Sequence, residues 1–152
     1  MLKPGDEAPD VPLGNDRLHR MLEEREVVLF FFPKAFTPGC TREACGFRDD
    51  YAALRKAGME VIGVSGDPQE TQDRFAQSLG LSFPLVGDPE GKIRDAYEVK
   101  WPVIGLARRT TYVIGRDRRI KLAFRSELDA LAHVAGAREY AAKPKPGRPG
   151  PE

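Results

Sequence analysis

The sequence lacks the features that mark membrane, secreted and nucleic-acid-binding proteins. Its longest purely apolar run covers residues 27–32, far short of the roughly 20 residues that cross a bilayer. Residues 1–10 have no apolar core of the kind found in signal peptides. Basic and acidic residues number 24 and 23, so the basic excess typical of nucleic-acid-binding proteins is missing. We therefore expect a soluble, cytoplasmic protein that binds neither membranes nor nucleic acids.

Cysteine and histidine are also scarce, with two residues of each type. Two cysteines cannot form the disulfide framework of a small secreted domain. A structural zinc site usually needs four closely spaced ligands, and His19 and His133 are distant in sequence from both cysteines. On number alone, Cys40 and Cys45 would be interpreted as small buried hydrophobic residues.

The chain has 152 residues, the length of one ordinary domain. Its last ten residues, 143–152, contain four prolines, two glycines and no large apolar residue, which predicts a disordered tail. The charges of this tail sum to +2 and leave −1 on the rest of the chain. We therefore predict one folded domain over residues 1–142, followed by a basic tail.

Strand-like and helix-like segments alternate along the folded part. Residues 27–32 are β-branched or aromatic throughout, apart from one leucine, which is typical of a strand buried on both faces. Apolar residues three and four positions apart predict a helix over 40–56. The other predicted elements are strands at 59–65 and 82–86, helices at 69–79, 91–97 and 128–141, and a hairpin with strands at 110–114 and 120–124.

Polar residues before the predicted helices indicate where they begin. Asp67 fits the N-cap of the helix at 69–79, with Pro68 as the first helical residue, and Ser126 fits a cap for the last helix. This order of elements predicts an α/β fold with a mixed sheet covered by helices on both faces. It looks like the thioredoxin fold with an N-terminal extension.

Residues 32–45 connect a buried strand to the helix that carries both cysteines. Thr37 fits the N-cap and Pro38 the first helical position, which makes Cys40 the third residue of the helix. The Thr37 hydroxyl would then accept a hydrogen bond from the Cys40 backbone N–H. The sulfur would lie among free N–H groups at the positive end of the helix dipole, surroundings that favour the reactive thiolate.

Cys45 follows Cys40 by five positions, a spacing that an intact helix cannot bridge with a disulfide. In an ideal helix the two Cα atoms lie ~8.6 Å apart, whereas a disulfide needs at most ~6.8 Å. If the bond forms, the first helical turns must unwind, and Gly39 and Gly46 are weak points for that.

The pattern Pro33-x3-Thr37-x2-Cys40 resembles the active-site signature of the peroxiredoxins. Residues 32–45 as a whole resemble the group of bacterioferritin comigratory protein and peroxiredoxin Q. The similarity extends from residues 5–9 to the strand at 109–114 and excludes the tail. It implies a thioredoxin-like fold and a thiol peroxidase that reduces hydrogen peroxide and organic hydroperoxides without a metal or organic cofactor.

The resemblance also implies roles for single residues. Cys40 would be the peroxidatic cysteine, and Cys45 the resolving cysteine that forms a disulfide with it, which thioredoxin then reduces. Thr37 would hydrogen-bond the peroxide and the sulfur, and Pro33 would shield the pocket from bulk water. Arg109 would stabilise the thiolate and the peroxide oxygens, because its guanidinium stays charged.

The roles of the arginine and of Glu43 leave alternatives open. Arg108 replaces Arg109 if the register shifts by one residue, although alternation places Arg109 on the same strand face as Thr111. Glu43 matches a family glutamate, but a bare carboxylate would disfavour a nearby thiolate. It helps only if it pairs with an arginine, and it would otherwise simply complement the helix dipole.

Other functions remain compatible with the two cysteines. A redox sensor or interaction protein would use the same disulfide to change a binding surface. A general thiol–disulfide oxidoreductase is disfavoured by the C-x4-C spacing. A protease-like pair of Cys40 with His133 is conceivable, but the pattern favours an ordinary histidine on an amphipathic helix. A disulfide within one chain needs no second subunit, so we expect a monomer.

The spacing of the cysteines predicts a redox-dependent change in the helix that carries them. Oxidation should unwind the first turns, so backbone amides over residues 38–50 should lose hydrogen-exchange protection, and circular dichroism should report less helix. Equal protection of this segment in the reduced and the oxidised protein would contradict the prediction.

Overall fold

A five-stranded mixed sheet forms the centre of the molecule, as the alternation of strands and helices predicts. The computed structural model describes residues 1–143, so the predicted tail beyond Lys143 lies outside the described residues. The elements are β1 (Pro12–Leu13), β2 (Asp16–Arg17), α1 (Leu18–Met21), β3 (Glu26–Phe31), α2 (Pro38–Lys56), β4 (Met59–Ser65), α3 (Gln69–Leu79), β5 (Leu85–Gly87), α4 (Lys92–Ala96), β6 (Thr110–Ile114), β7 (Ile120–Arg125) and α5 (Ala130–Ala142).

The strand order in the sheet is β5-β4-β3-β6-β7. Strands β3, β4 and β5 run parallel, β6 is antiparallel to β3, and β6 and β7 form the predicted hairpin. The β1–β2 ribbon and α1 precede this sheet as an N-terminal extension. Among the described residues, no helix has the length and apolar character needed to cross a membrane.

The central strand β3 separates two apolar layers, because its side chains alternate between the faces of the sheet. Phe30 belongs to the layer that contains Phe47 of α2 and Val134 of α5. Phe31 belongs to the opposite layer, with Tyr97 and Tyr112. Cys40 lies in the first of these layers, so the thiol is enclosed by the packing of α2 and α5 on the sheet.

Two predicted helix caps are wrong, because the side chains in question have other partners. Pro68, not Asp67, is the N-cap residue of α3. The Asp67 carboxylate accepts hydrogen bonds from the Ala35 N–H at 2.8 Å and the Ser65 hydroxyl at 2.6 Å. It thereby ties the loop that precedes α2 to the end of β4.

The last helix begins later than predicted. Asp129, not Ser126, is the N-cap residue of α5, and its carboxylate accepts from the Ala132 N–H at 3.1 Å. Ser126 lies before the helix, where its hydroxyl oxygen accepts a hydrogen bond from the Asp129 N–H at 3.2 Å. Strand β5 also begins later, at Leu85, because Pro84 has no N–H to donate to a neighbouring strand.

Candidate active site

Thr37 lies at the end of the loop between β3 and α2, but the Thr37 hydroxyl does not cap the helix. Thr37 is the N-cap residue, and no side-chain capping bond forms. The hydroxyl instead donates to the Lys34 carbonyl at 2.8 Å, so the predicted bond from the Cys40 N–H is wrong. Because its proton is committed to Lys34, the Thr37 oxygen can only accept a further hydrogen bond.

The residue before Thr37 has a strained backbone. Phe36 adopts a φ of +66°, a left-handed conformation that costs a residue with a bulky side chain on the order of 1–3 kcal/mol. Its ring is 53% exposed and lies 4.9 Å from the ring of Phe75 in α3. This contact helps to hold the loop in the conformation that turns Thr37 into α2.

Both cysteines lie on the continuous helix α2 as free thiols. Cys40 is only 1% exposed, whereas Cys45 is partly exposed. Because both lie on one unbroken helix, their Cα atoms are too far apart for a disulfide, as the sequence predicts.

Arg109 reaches Cys40 from the residue just before β6. Its Nη1 donates to Glu43 Oε1 at 2.8 Å, and its Nε donates to the Glu127 carbonyl at 3.4 Å. Burial lowers the pKa of Arg109, but attraction and hydrogen bonding from Cys40 and Glu43 outweigh burial and raise the pKa above its ordinary value. A Cβ at Gly39 would lie 3.0 Å from Nη2, so the glycine allows this close approach.

Arg108, the alternative candidate, has partners of its own. Its Nε lies 3.1 Å from Glu127 Oε2, and its guanidinium carbon lies 5.1 Å from the centroid of the Trp101 ring. The other oxygen of the same carboxylate accepts from the Arg109 backbone N–H at 3.1 Å. Glu127 therefore fixes the chain at both arginines and leaves only the Arg109 side chain directed at Cys40.

Glu43 pairs with an arginine, as a carboxylate close to a thiolate must do if it is to support that thiolate. Its side chain is 0% exposed. Burial raises the pKa of Glu43 to about 8, although the charge and hydrogen bond of Arg109 act in the opposite direction. The second carboxylate oxygen, Oε2, lies 3.6 Å from Nδ1 of His133.

Three residues of this cluster were missed as site residues by sequence reasoning: Thr111, Glu127 and His133. His133 is 0% exposed, and its hydrogen bonds are with Thr111 and Ser126, so the structure does not form the conceivable pair with Cys40. No local spacing in the sequence predicts that His133 lies beside Glu43, because the two residues meet only through the packing of α5 on α2. Within residues 1–143, no group of three or more histidine, cysteine or acidic side chains is arranged to hold a metal ion.

Pro33 lies beside a cavity of about 350 Å³ at the carboxyl ends of β3 and β4. Leu106 and Ala107, from the segment between α4 and β6, form part of the same wall. The structure thus brings Pro33 and this segment together.

The sequence profile of the AhpC/TSA family matches residues 4–123. The chain belongs to this family. It is a peroxiredoxin, as its active-site signature predicts, and membership implies a peroxide substrate and a thiol reductant.

Individual peroxiredoxins agree with this assignment and with the thioredoxin-like fold. The chain is 38% identical over 111 residues to the chloroplastic peroxiredoxin Q of Sedum lineare; the match covers 72% of this chain and 60% of that protein's length. The crystal structure of peroxidoxin BcpB from Mycobacterium tuberculosis superimposes with a TM-score of 0.86 at 36% identity, over 93% of this chain and 97% of that one. Bacterioferritin comigratory protein from Xanthomonas campestris gives a TM-score of 0.70 at 28% identity, over 80% and 83%.

Burial of Glu43 predicts how the stability of this peroxiredoxin varies with pH. The pKa of Glu43 rises from 4.5 in the unfolded chain to about 8 in the fold. The proton on Glu43 therefore contributes fully to the stability of the folded state below pH 4.5. This contribution is lost as the pH rises to 8. Relative to Glu43→Gln, the free energy of unfolding of the reduced wild type should therefore fall between these pH values, by up to about 1.4 kcal/mol per pH unit. Urea unfolding at pH 5, 6.5 and 8 measures the difference.

The exposed substitution Glu139→Gln serves as the matched control and should leave the pH dependence of the wild type unchanged. Parallel stability curves for the wild type and Glu43→Gln would show that Glu43 is already ionised at pH 5.

Proposed function

We propose that this peroxiredoxin reduces hydrogen peroxide and organic hydroperoxides through Cys40, with Cys45 as the resolving cysteine. The observation that carries the proposal is the buried Cys40 at the first turn of α2, with Arg109 held against it by Glu43. A fixed guanidinium stabilises a thiolate and also the negative charge that develops on peroxide oxygens.

The first step is attack of the Cys40 thiolate on one peroxide oxygen. A sulfur–oxygen bond forms as the oxygen–oxygen bond breaks, and the leaving oxygen takes up one proton to become water or an alcohol. Cys40 is thereby oxidised to a sulfenic acid. Thr37 accepts a hydrogen bond from the peroxide O–H, because its own proton is donated to Lys34, and Arg109 stabilises the leaving oxygen.

The second step requires the start of α2 to unwind, because the cysteines lie too far apart on the intact helix. The Cys45 sulfur then attacks the sulfenic sulfur, a disulfide forms, and the hydroxyl leaves with a proton as water. A dithiol, which we propose is thioredoxin, returns both cysteines to thiols by two exchange steps and is itself oxidised to a disulfide. The whole cycle occurs within one chain, so we propose that a monomer suffices.

The related Xanthomonas protein is described as reducing alkyl peroxides, which supports an organic hydroperoxide as one substrate of this chain.

The cysteine variants test the proposal in a thioredoxin-coupled assay with hydrogen peroxide and an alkyl hydroperoxide. Cys40→Ser should abolish activity, because the attacking sulfur is gone. Cys45→Ser should consume one equivalent of peroxide and then recycle poorly with thioredoxin, because no disulfide can form. Thr41→Ser, a conservative change between the two cysteines, should turn over like the wild type.

Full activity of Cys40→Ser would overturn the proposal. Wild-type protein that oxidises once and is not recycled by thioredoxin would also contradict it and would favour the redox sensor.

A further inference from the structure

A buried polar cluster lies behind Arg109, and the proposed peroxidase cycle does not use it. Nδ1 of His133 lies 2.8 Å from the Thr111 hydroxyl oxygen, and Nε2 lies 2.9 Å from the Ser126 carbonyl oxygen. Both His133 and Glu43 are 0% exposed. The two residues come from different helices, α5 and α2, and meet only in the fold.

The partners of the histidine ring determine which nitrogen carries the hydrogen. The Ser126 carbonyl can only accept, so Nε2 carries the hydrogen. Burial lowers the pKa of His133 and the charge of Arg109 adds to this effect, whereas the bond to Ser126 opposes it. The ring is therefore neutral near pH 7, and its Nδ1 accepts the hydrogen bond of the Thr111 hydroxyl.

Glu43 is the member of the cluster with an unsatisfied atom. Among residues 1–143, its Oε2 has no hydrogen-bond partner, and its titratable neighbour is Nδ1 of His133 at 3.6 Å. An ionised oxygen that receives no hydrogen bond is unfavourable in a buried site. One added proton, on either atom, allows a hydrogen bond between them once the 3.6 Å gap closes and the Thr111 hydroxyl turns its proton away from Nδ1.

We propose that Glu43 and His133 together hold one proton behind Arg109, and that this proton controls how strongly the guanidinium acts on Cys40. With the proton present, Glu43 is neutralised and the positive charge of Arg109 acts mainly on the thiolate. Without it, the Glu43 carboxylate neutralises part of that charge. His133 is thus a positioning residue that acts through Glu43.

The charged groups around the pair favour retention of the proton. Cys40 as a thiolate and Glu43 both approach Arg109 from α2, while Glu127 and Asp129 act from the segment before α5. Arg108 is already occupied by Glu127. With every acid ionised, Arg109 would face an excess of negative charge in a buried site, which one proton in the pair reduces.

This arrangement couples the titration of Cys40 to that of the Glu43–His133 pair. The proposal rests on the proposed function, because it assumes that Cys40 reacts as a thiolate. Ionisation of Cys40 should make the pair hold its proton more tightly. Loss of that proton should make ionisation of Cys40 harder by the same free energy, because such coupling is reciprocal.

A double-mutant cycle in the Cys45→Ser protein tests the coupling, with Cys40 titrated by thiolate absorbance near 240 nm. His133→Asn cannot hold the proton and should raise the midpoint of the Cys40 titration by on the order of one pH unit, because Glu43 then ionises earlier. Glu43→Gln, which is permanently neutral, should leave the midpoint at or below its original value. The double variant should match Glu43→Gln, since His133 acts only through the carboxylate.

A shift caused by His133→Asn that is equally large in the Glu43→Gln background would overturn the proposal, and so would the absence of any shift. If His133→Asn does not fold, ¹⁵N NMR of the histidine rings tests the coupling through the titration of His133 itself. The His19→Gln variant identifies which of the two histidine signals belongs to His133. The midpoint of the His133 titration should be lower in Cys40→Ser/Cys45→Ser than in Cys45→Ser alone, and equal midpoints would contradict the coupling.

Neither measurement uses peroxide. Peroxide consumption by the Cys45→Ser protein therefore tests the proposed function separately, and failure of one idea can be distinguished from failure of the other.

Discussion

The buried hydrogen bond from Arg109 to Glu43 is the interaction on which the rest of the site depends. A hydrogen bond to a charged group typically contributes ~1.5–3 kcal/mol to stability. The bond joins the residue before β6 to α2, and Glu127 attaches the same arginine to the segment before α5. Three parts of the fold thus fix one positive charge beside Cys40 before any substrate arrives, which is the condition for electrostatic catalysis.

Two glycines of α2 lie in close contact with other parts of the site. Gly39 admits the Arg109 guanidinium, and at Gly46 a Cβ would lie 2.9 Å from Val134 Cγ2 of α5. At both positions an added side chain would press on a neighbouring residue, and glycine also lowers the helix propensity of α2. Both lie in the part of α2 that unwinds in the proposed cycle, and their low helix propensity favours that step.

The parts of the site that sequence predicts are those set by local geometry. Strand alternation puts Arg109 on the side of the sheet where it meets Glu43, and the Thr37-Pro38 pair marks the start of α2. The interactions that sequence misses depend on tertiary packing. The Thr37 hydroxyl and the Asp67 carboxylate have partners in the loop before α2, and His133 meets Glu43 only because α5 packs on α2. An amphipathic pattern shows that a histidine faces the core but not which side chain it meets there.

The most direct test of the account is the rate at which Cys40 reacts with hydrogen peroxide when Arg109 is replaced by lysine. In the Cys45→Ser protein, Arg109→Lys keeps the charge but loses the planar group that contacts Glu43 and Cys40 together. The single-turnover rate constant should fall on the order of 10²-fold, while the neighbouring Arg108→Lys should stay within a few-fold of the original value. An unchanged rate for Arg109→Lys would contradict the claim that a fixed guanidinium activates this thiol.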